Sequence, residues 1–247
     1  MQYPLFIPES NWTPPNLSDL PSWKEARRVG LDIETCDQYL KQLGPGVRRG
    51  AYIVGISFAI EDGPKYYIPI RHQGGDNVDC EQALNYFRHQ ASIFEGEIVG
   101  ANLSYDLDFL AEEGIWFSKC KFFRDIQIAD PLIDELQQSY SLNNIAKRYG
   151  FVGKDESKLR EAAAVYGVDA KASMWKLPAR FVGQYAEEDA ALPLKILRKQ
   201  ERAIDDQDLW DIYNLESKVL PVLVKMRRKG VLIHQERLEG IELWSLD

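Results

Sequence analysis

The amino-acid sequence predicts an α/β fold, in which a mixed sheet of five to six strands is flanked by helices and followed by a C-terminal helical extension. Three observations lead to this prediction. Apolar and polar residues alternate with period two over residues 28–35, and a nearly continuous apolar run covers residues 51–61. The dipeptide Gly63-Pro64 then turns the chain into an antiparallel third strand. Helical periodicity alternates with short strands thereafter, which is typical of a sheet covered by helices.

The individual elements are predicted in chain order. Strands are expected over residues 28–35, 51–61, 65–70 and 97–101. Helices are expected over residues 80–95, 104–113, 126–136, 142–149, 157–166 and 179–202, and residues 41–50 form an enlarged loop. Asp125 precedes one of these helices and is predicted as its N-cap, with an approach to a metal ion as the alternative.

Composition limits the possible classes of protein. The chain has 247 residues, of which 45% are hydrophobic and 28% charged, so it can form one large domain or one domain with an appendage. It contains no run of the roughly 18 apolar residues that a membrane helix needs, and its first residues do not read as a secretory leader. We therefore expect a cytoplasmic protein with no membrane partner. Cys36, Cys80 and Cys120 are too far apart to suggest a zinc site or a disulfide framework.

The net charge of −8 argues at first against a nucleic-acid partner, since phosphate binding normally rests on Lys and Arg. Carboxylates that hold divalent cations weaken this argument, because the bound ions reverse the local charge and attract phosphate. Local basic pairs such as Arg48 and Arg49 could also contact a nucleic-acid backbone. Ordinary solvated surface charge is the alternative explanation for them.

The first candidate site is an acidic pair on the first predicted strand. Asp32 and Glu34 are two residues apart, so both side chains point to one face, roughly 7 Å apart along the backbone. An oxygen-rich pair of this kind favours Mg²⁺ or Mn²⁺ over zinc. The alternative is a solvent-facing strand edge that merely carries two acids.

A second candidate acid lies on the helix that follows Asn102. Asp106 and Asp108 are about 200° apart around that helix, so only one of them can face a given site. We choose Asp106, which is four residues after Asn102 and on its side of the helix. Favourable charge near a helix N-terminus would also explain either aspartate.

The third candidate is a Tyr-x-x-x-Asp pattern on the helix predicted over residues 179–202. Tyr185 and Asp189 are four residues apart and therefore share one helix face. A tyrosine hydroxyl could orient an attacking water there, while Asp189 completes a metal shell. Taken alone, this spacing also occurs by chance in many helices.

Together, three stretches resemble the exonuclease motifs of the DnaQ-like, ribonuclease H-like superfamily in its tyrosine-bearing DEDDy branch. They are LDIET at 31–35, NLSYD at 102–106 and YAEEDA at 185–190. The resemblance is closest to the proofreading domain of family A DNA polymerases, of the polymerase I type, particularly phage versions. It covers residues 28–203 and is supported by VGISFAI at 54–60, YIPI at 67–70 and SLNNIA at 141–146.

The resemblance implies a metal-dependent 3′→5′ exonuclease that proofreads during DNA replication, releasing 5′-monophosphates from single-stranded or mispaired 3′ ends. It implies two Mg²⁺ ions, with Mn²⁺ as a substitute. Asp32 would bridge both ions, Glu34 and Asp189 would hold the nucleophile-side ion, and Asp106 would act on the second. Tyr185 would help to position the attacking hydroxide. A phage-encoded member would act in the cytoplasm of the bacterial host.

The resemblance also implies DNA contacts around the first two motifs. Members often place an apolar wedge shortly after the first glutamate, but here three other residues precede Tyr39 and Leu40. One of these two would stack on a terminal base, or the wedge would be absent. The full set of candidate DNA contacts is Thr35, Tyr39, Leu40, Arg48, Arg49, Asn102 and Tyr105.

The chain divides into an N-terminal extension (1–27), an exonuclease domain (28–205) and a helical linker (206–247) that resembles the start of a polymerase thumb. The linker implies a polymerase domain in cis or a polymerase subunit in trans. Pro221 is expected to bend or interrupt its helix. An apolar stripe predicts instability or association of this tail, and its members are Leu215, Val219, Val222, Leu223 and Met226.

Two alternatives to DNA proofreading remain open on the sequence. The chain could process RNA, as other DEDDy enzymes do. It could also be a non-catalytic module that binds single-stranded nucleic acid or a partner, although the presence of all four acids and the tyrosine counts against this interpretation.

Overall fold

The computed structural model describes residues 8–152 and 155–246 and contains a five-stranded mixed sheet flanked by helices, which confirms the predicted α/β fold. The spatial order of the strands is β3-β2-β1-β4-β5. Their bounds are β1 Arg28–Cys36, β2 Tyr52–Ile60, β3 Lys65–Pro69, β4 Glu97–Gly100 and β5 Phe122–Asp125. The β5 strand is absent from the individually predicted elements, because it has only four residues and Arg124 and Asp125 end its apolar pattern.

Strand β1 lies in the centre of the sheet, antiparallel to β2 and parallel to β4. It pairs with β2 along its whole length, apart from a bulge between Glu34 and Thr35. Its pairing with β4 ends at Gly30, opposite Val99. The half of β1 that carries the acidic pair therefore has no strand on its β4 side, and this gap leaves room for side chains from other elements.

Nine α-helices are assigned in the described residues, and α3, α4, α7 and α8 contact strands of the sheet. Their bounds are α1 Leu40–Leu43, α2 Cys80–Ile93, α3 Leu103–Glu112, α4 Ile126–Ile133, α5 Leu142–Arg148, α6 Ser157–Tyr166, α7 Gly183–Asp206, α8 Trp210–Lys229 and α9 Gln235–Leu246. The short helix α1 and a 3₁₀ turn at Val47–Arg49 lie within the region predicted as an enlarged loop. The predicted helix over 179–202 is a 3₁₀ turn at Ala179–Phe181 followed by α7.

The two faces of β1 have different functions in the fold. Val29, Leu31 and Ile33 point into an apolar core shared with α2 and α3. The opposite face carries Gly30 and the two acids, and α7 packs across it in contact with β1, β2, β3 and β4. The period-two pattern of β1 therefore separates a hydrophobic face from the face that carries Asp32 and Glu34, which we call the chemical face.

The segments before and after the predicted exonuclease domain also pack against it. Trp23 is fully buried among aromatic rings of the core, and the ring of Trp12 packs against Tyr67 in a tilted arrangement, with centroids 6.0 Å apart. Helix α8 contacts α3, α4 and β5. Pro221 does not interrupt α8, which is assigned as one helix through that residue, and a bend at Pro221 stays a prediction. None of the helices in the described part of the chain is both long enough and apolar enough to span a membrane.

Candidate metal centre and nuclease site

Three carboxylates from two elements converge on the chemical face of the sheet. Asp32 and Glu34 project from β1 and Asp189 from α7, and each offers an oxygen within 4.8 Å of the others. Asp189 is buried, whereas the two strand acids are half-buried. The set is open enough to admit an ion and enclosed enough to orient one.

The close approach of α7 to β1 depends on Gly30. A Cβ atom at position 30 would lie far inside van der Waals contact with the backbone carbonyl of Ala190, which follows Asp189 in α7. Glycine therefore removes the side chain that would otherwise hold the helix away from the strand. This contact brings Asp189 into reach of Asp32 and Glu34.

Asp106 lies beside this group without belonging to the three carboxylates whose oxygens converge. Its Oδ1 accepts a hydrogen bond of 3.1 Å from the backbone N–H of Ile33, the residue between the two strand acids. That N–H lies where β1 has lost its β4 partner, so the aspartate replaces a missing ladder bond. Burial and the nearby charge of Asp32 raise the pKa of Asp106 well above its usual range.

Tyr185 lies on the same face of α7 as Asp189, as its i, i+4 spacing predicts. The phenol is largely buried and forms a side-chain hydrogen bond with Asp189. Burial, followed by the charges of Asp189 and Glu34, raises the pKa of Tyr185 far above its ordinary value. Tyr185 therefore keeps its proton at neutral pH and can donate a hydrogen bond.

The donor set fits a hard divalent cation. All three converging ligands are carboxylates, and oxygen-only sets suit Mg²⁺ or Mn²⁺ rather than zinc or copper. Like charges at this separation repel one another unless a cation lies between them.

A hydrogen-bonded chain connects the end of β1 to α3. Thr35 Oγ1 and Tyr105 Oη are 2.7 Å apart, and Tyr105 Oη also donates to Asp37 Oδ2 at 3.4 Å. Asp37 Oδ2 in turn accepts the backbone N–H of Gly46 at 2.8 Å. Two predicted DNA contacts, Thr35 and Tyr105, are thus joined directly, and the loop after β1 is tied to them.

The remaining predicted DNA contacts lie in different environments. Tyr39 and Leu40 are 60% and 41% exposed, so they present apolar area to solvent. Arg48 binds Asp108 through two hydrogen bonds of 3.0 and 3.1 Å. Arg49 donates to the carbonyl groups of residues 43–45 and so holds the loop together.

Asn102 and Asp125 organise the start of α3. Asn102 is exposed and adopts a left-handed conformation with φ 66°. Asp125 caps α4 by accepting from Gln127 N at 2.8 Å, which confirms the predicted N-cap. Its carboxylate also accepts from the backbone N–H groups of Asn102 and Leu103, at 3.2 and 2.8 Å. A single buried acid therefore fixes the helix that carries Asp106.

Sequence reasoning missed one group of residues around the site. Tyr67 lies fully buried on the same sheet face as the acids, and its hydroxyl is 2.6 Å from His72 Nε2. The YIPI stretch was noted only as part of the family resemblance, and no role was expected for His72. The available signal was Gly55, a glycine inside an otherwise apolar strand, which indicates a close approach by another group.

Comparison with known proteins agrees with this geometry. A family model described as 3′-5′ exonuclease matches residues 22–205. The chain is 60% identical over 250 residues to the DNA-directed DNA polymerase of Pseudomonas phage M6, covering 100% of this chain and 38% of the phage protein. It is 23% identical over 234 residues to DNA polymerase I of Pseudomonas aeruginosa, covering 89% of this chain and 23% of that protein. The chain spans less than two fifths of the length of these relatives.

Solved structures extend the comparison to the fold. Brucella melitensis NrnC with bound Mg²⁺ shares a TM-score of 0.59 with this chain at 17% identity, covering 85% of this chain and 90% of NrnC. At that identity the likeness shows a common fold. The family match covers most of the chain and the phage relative covers all of it. The chain therefore belongs to the family of 3′→5′ exonuclease domains found in phage and family A DNA polymerases.

Proposed function

We propose that this chain removes nucleotides from single-stranded or mispaired 3′ ends of DNA as 5′-monophosphates, and thereby proofreads for a DNA polymerase. The observation that carries the proposal is the meeting of Asp32, Glu34 and Asp189 beside the protonated hydroxyl of Tyr185. A mispaired end suits such a site, because mispairing lowers the free energy needed to unpair the terminal nucleotide.

The proposed chemistry assigns separate tasks to the side chains. Two divalent ions, Mg²⁺ or Mn²⁺ in its place, would supply Lewis-acid stabilisation of the entering and leaving oxygens. Asp32 would contact both ions, Glu34 and Asp189 one of them, and Asp106 the other. Tyr185 would orient the attacking water through its hydroxyl, which keeps its proton because burial and neighbouring carboxylates raise its pKa.

The DNA strand is proposed to enter past the loop that follows β1. Tyr39 and Leu40 expose apolar area suited to stacking on a terminal base. Thr35, Asn102 and Tyr105 would contact the last nucleotides. Arg48 and Arg49 would contribute mainly by shaping the loop, since both guanidinium groups are already bound to other groups of the chain. Their remaining N–H donors would contact a phosphate of the DNA.

The proposed partner is a polymerase domain in cis, with a polymerase subunit in trans as the alternative. The phage M6 relative is a DNA polymerase of which this chain matches 38% of the length. Helix α8 presents apolar side chains to solvent, which suits a surface that continues into another domain. Action in the cytoplasm of a bacterial host belongs to the same proposal.

The test is digestion of a 5′-labelled DNA primer, single-stranded or with a mismatched 3′ end, in Mg²⁺ or Mn²⁺. We expect a ladder of products shortened from the 3′ end, slower cleavage of a matched duplex, and little cleavage of an RNA strand of the same sequence. Asp32→Ala/Glu34→Ala should abolish the ladder, and Tyr185→Phe should slow it without preventing metal binding. RNA cleaved in preference to DNA would indicate RNA processing, and binding without cleavage would indicate a non-catalytic module.

A further inference from the structure

A buried tyrosine lies on the chemical face of the sheet, two strands away from the acidic pair. Asp32 on β1 pairs with Ser57 on β2, and Ser57 pairs with Tyr67 on β3. Directly paired residues in antiparallel strands point to the same face, so Tyr67 shares the chemical face with Asp32. The tyrosine is fully buried and packs with Tyr185 in one cluster.

Gly55 directs the ring of Tyr67 toward Glu34. Gly55 pairs with Glu34 across β1 and β2, and a Cβ atom at position 55 would collide with the phenol of Tyr67. The ring therefore fills the space above Gly55, next to the side chain of Glu34. The charges of Glu34 and Asp32 contribute, after burial, to a raised pKa of Tyr67, which agrees with this proximity.

His72 fixes the direction of the Tyr67 hydroxyl proton. His72 Nδ1 is 2.9 Å from the carbonyl oxygen of Leu177, which can only accept, so the ring carries its proton on Nδ1. Burial lowers the pKa of His72 to about 4, so Nε2 has a free lone pair at neutral pH. Tyr67 Oη is 2.6 Å from Nε2 and must donate to it.

The Leu177 carbonyl belongs to the segment that leads into α7. Other bonds join this segment to the chain around His72, and each runs between residues 71–78 and 174–182. They are Gln73 N to Trp175 O at 2.9 Å, Ala179 N to Gly75 O at 3.2 Å, and Arg180 Nε to Asp76 Oδ2 at 2.6 Å. Within this set the buried ring of His72 bonds to the Leu177 carbonyl on one side and to Tyr67 on the other, and so links the segment before α7 to the tyrosine beside Glu34.

We propose that Tyr67 and His72 are positioning residues for the metal centre, holding the sheet and the start of α7 in the alignment at which Asp189 and Tyr185 meet Glu34. The inference rests on the proposed function, because it assumes that these acids bind metal. Neither residue touches a reacting atom. Their effect passes through the ring packed beside Glu34 and through the Leu177 carbonyl before α7.

The test measures Mn²⁺ binding to the full chain without DNA, by electron paramagnetic resonance titration. Tyr67→Phe keeps the ring and removes only the donated hydrogen bond, and we expect it to raise the Mn²⁺ dissociation constant about tenfold. His72→Gln should act in the same direction, and the double variant should add little to the larger single effect. Tyr66→Phe is the matched control, since Tyr66 is the neighbouring residue and packs into the opposite core, and it should bind Mn²⁺ like wild type.

The outcomes separate this inference from the proposed function. Wild-type chain that binds no Mn²⁺ would overturn both. Wild-type binding with unchanged Mn²⁺ affinity in both Tyr67→Phe and His72→Gln overturns the positioning role alone, and a lower melting temperature in EDTA would then assign the pair to packing. The positioning role is supported if Tyr67→Phe and His72→Gln bind Mn²⁺ more weakly and if excess Mn²⁺ restores their cleavage toward the wild-type rate. Should Tyr67→Phe fail to fold, His72→Gln decides by the same criteria.

Discussion

Two aspartates of α3 lie two residues apart in opposite electrostatic environments. Asp106 is buried beside Asp32, which adds to the effect of burial in raising its pKa. Asp108 is fully buried but bonded to Arg48 on one side and to Arg228 on the other. The sequence leaves a choice between them, and their partners explain why Asp106 lies beside the acidic pair of β1 while Asp108 anchors the fold.

This contrast predicts opposite effects of the same substitution. The pKa of Asp106 is higher in the folded chain than in the unfolded one, so its ionised form lowers stability at neutral pH. Asp106→Asn should therefore raise the free energy of unfolding in EDTA by about 1 kcal/mol while it impairs cleavage. Asp108→Asn should lower that free energy by about 2 kcal/mol, because the buried carboxylate loses its charge-assisted hydrogen bonds to Arg48 and Arg228. Urea unfolding of both variants checks the prediction, and shifts of equal sign would contradict it.

His72 makes stability depend on pH. Burial lowers its pKa to about 4 in the fold, below the unfolded value of 6.5, so the unfolded chain binds the proton first as pH falls. The resulting stability is fully present above about pH 6.5 and is lost as pH falls toward 4, by about 2 to 3 kcal/mol. Unfolding of wild type and His72→Gln at about pH 7.5 and pH 4.5 measures this loss. Parallel pH profiles for the two proteins would show that His72 does not titrate as inferred.

At the scale of elements, the site depends on how closely α7 approaches β1. Gly30→Ala would force the Ala190 carbonyl away from the strand and move Asp189 with it. We expect weaker Mn²⁺ binding and a loss of about 1 to 3 kcal/mol in the free energy of unfolding. Gly240→Ala is the control, because a Cβ atom there meets no neighbour and alanine favours the helix. Unchanged Mn²⁺ affinity in Gly30→Ala would contradict this account of the helix position.

The early end of β4 has a functional consequence for β1. Pairing stops at Gly30, and the backbone N–H of Ile33 is instead satisfied by the side chain of Asp106. A continuous parallel ladder would occupy that N–H and leave no position for the aspartate. The early end of β4 thus allows α3 to bring Asp106 beside the acidic pair.

At the scale of the whole molecule, α8 packs against the domain on one side and exposes apolar side chains on the other. Tyr213, Leu220 and Val224 are buried, and Arg228 reaches Asp108 and Glu112 on α3. The predicted apolar stripe lies on the outer side of the helix. Four of its members are at least half exposed, namely Leu215, Val222, Leu223 and Met226.

Shortening the chain tests whether α8 stabilises the domain. A chain that ends at residue 205 loses the buried side chains of α8, and with them Arg227 and Arg228, which pair with Asp108. Its free energy of unfolding should fall by about 4 kcal/mol or more. A chain that ends at residue 230 lacks only α9 and the segment before it, whose described side chains are exposed, and should melt like the full chain. Equal melting temperatures for all three chains would show that α8 contributes nothing to the stability of the domain.

Much of the candidate site was predictable from local spacing. The period of two placed Asp32 and Glu34 on one strand face, and the period of 3.6 placed Tyr185 and Asp189 on one helix face. The roles of Tyr67 and His72 were not predictable, because each is an ordinary residue for a buried strand or turn. Strand β5 was missed because Arg124 and Asp125 occupy half of it, which leaves only two adjacent apolar residues as a signal.

The sequence by itself determined the fold class, the family and the faces on which the acids lie, because these follow from short-range periodicity and contiguous motifs. The tertiary structure decided which faces meet. Three contacts join positions that are separated in the chain. Gly30 meets Ala190, the ring of Tyr67 covers Gly55, and Asp108 pairs with Arg228. Such contacts depend on complementary volume and charge between packed elements, and no local pattern carries that information.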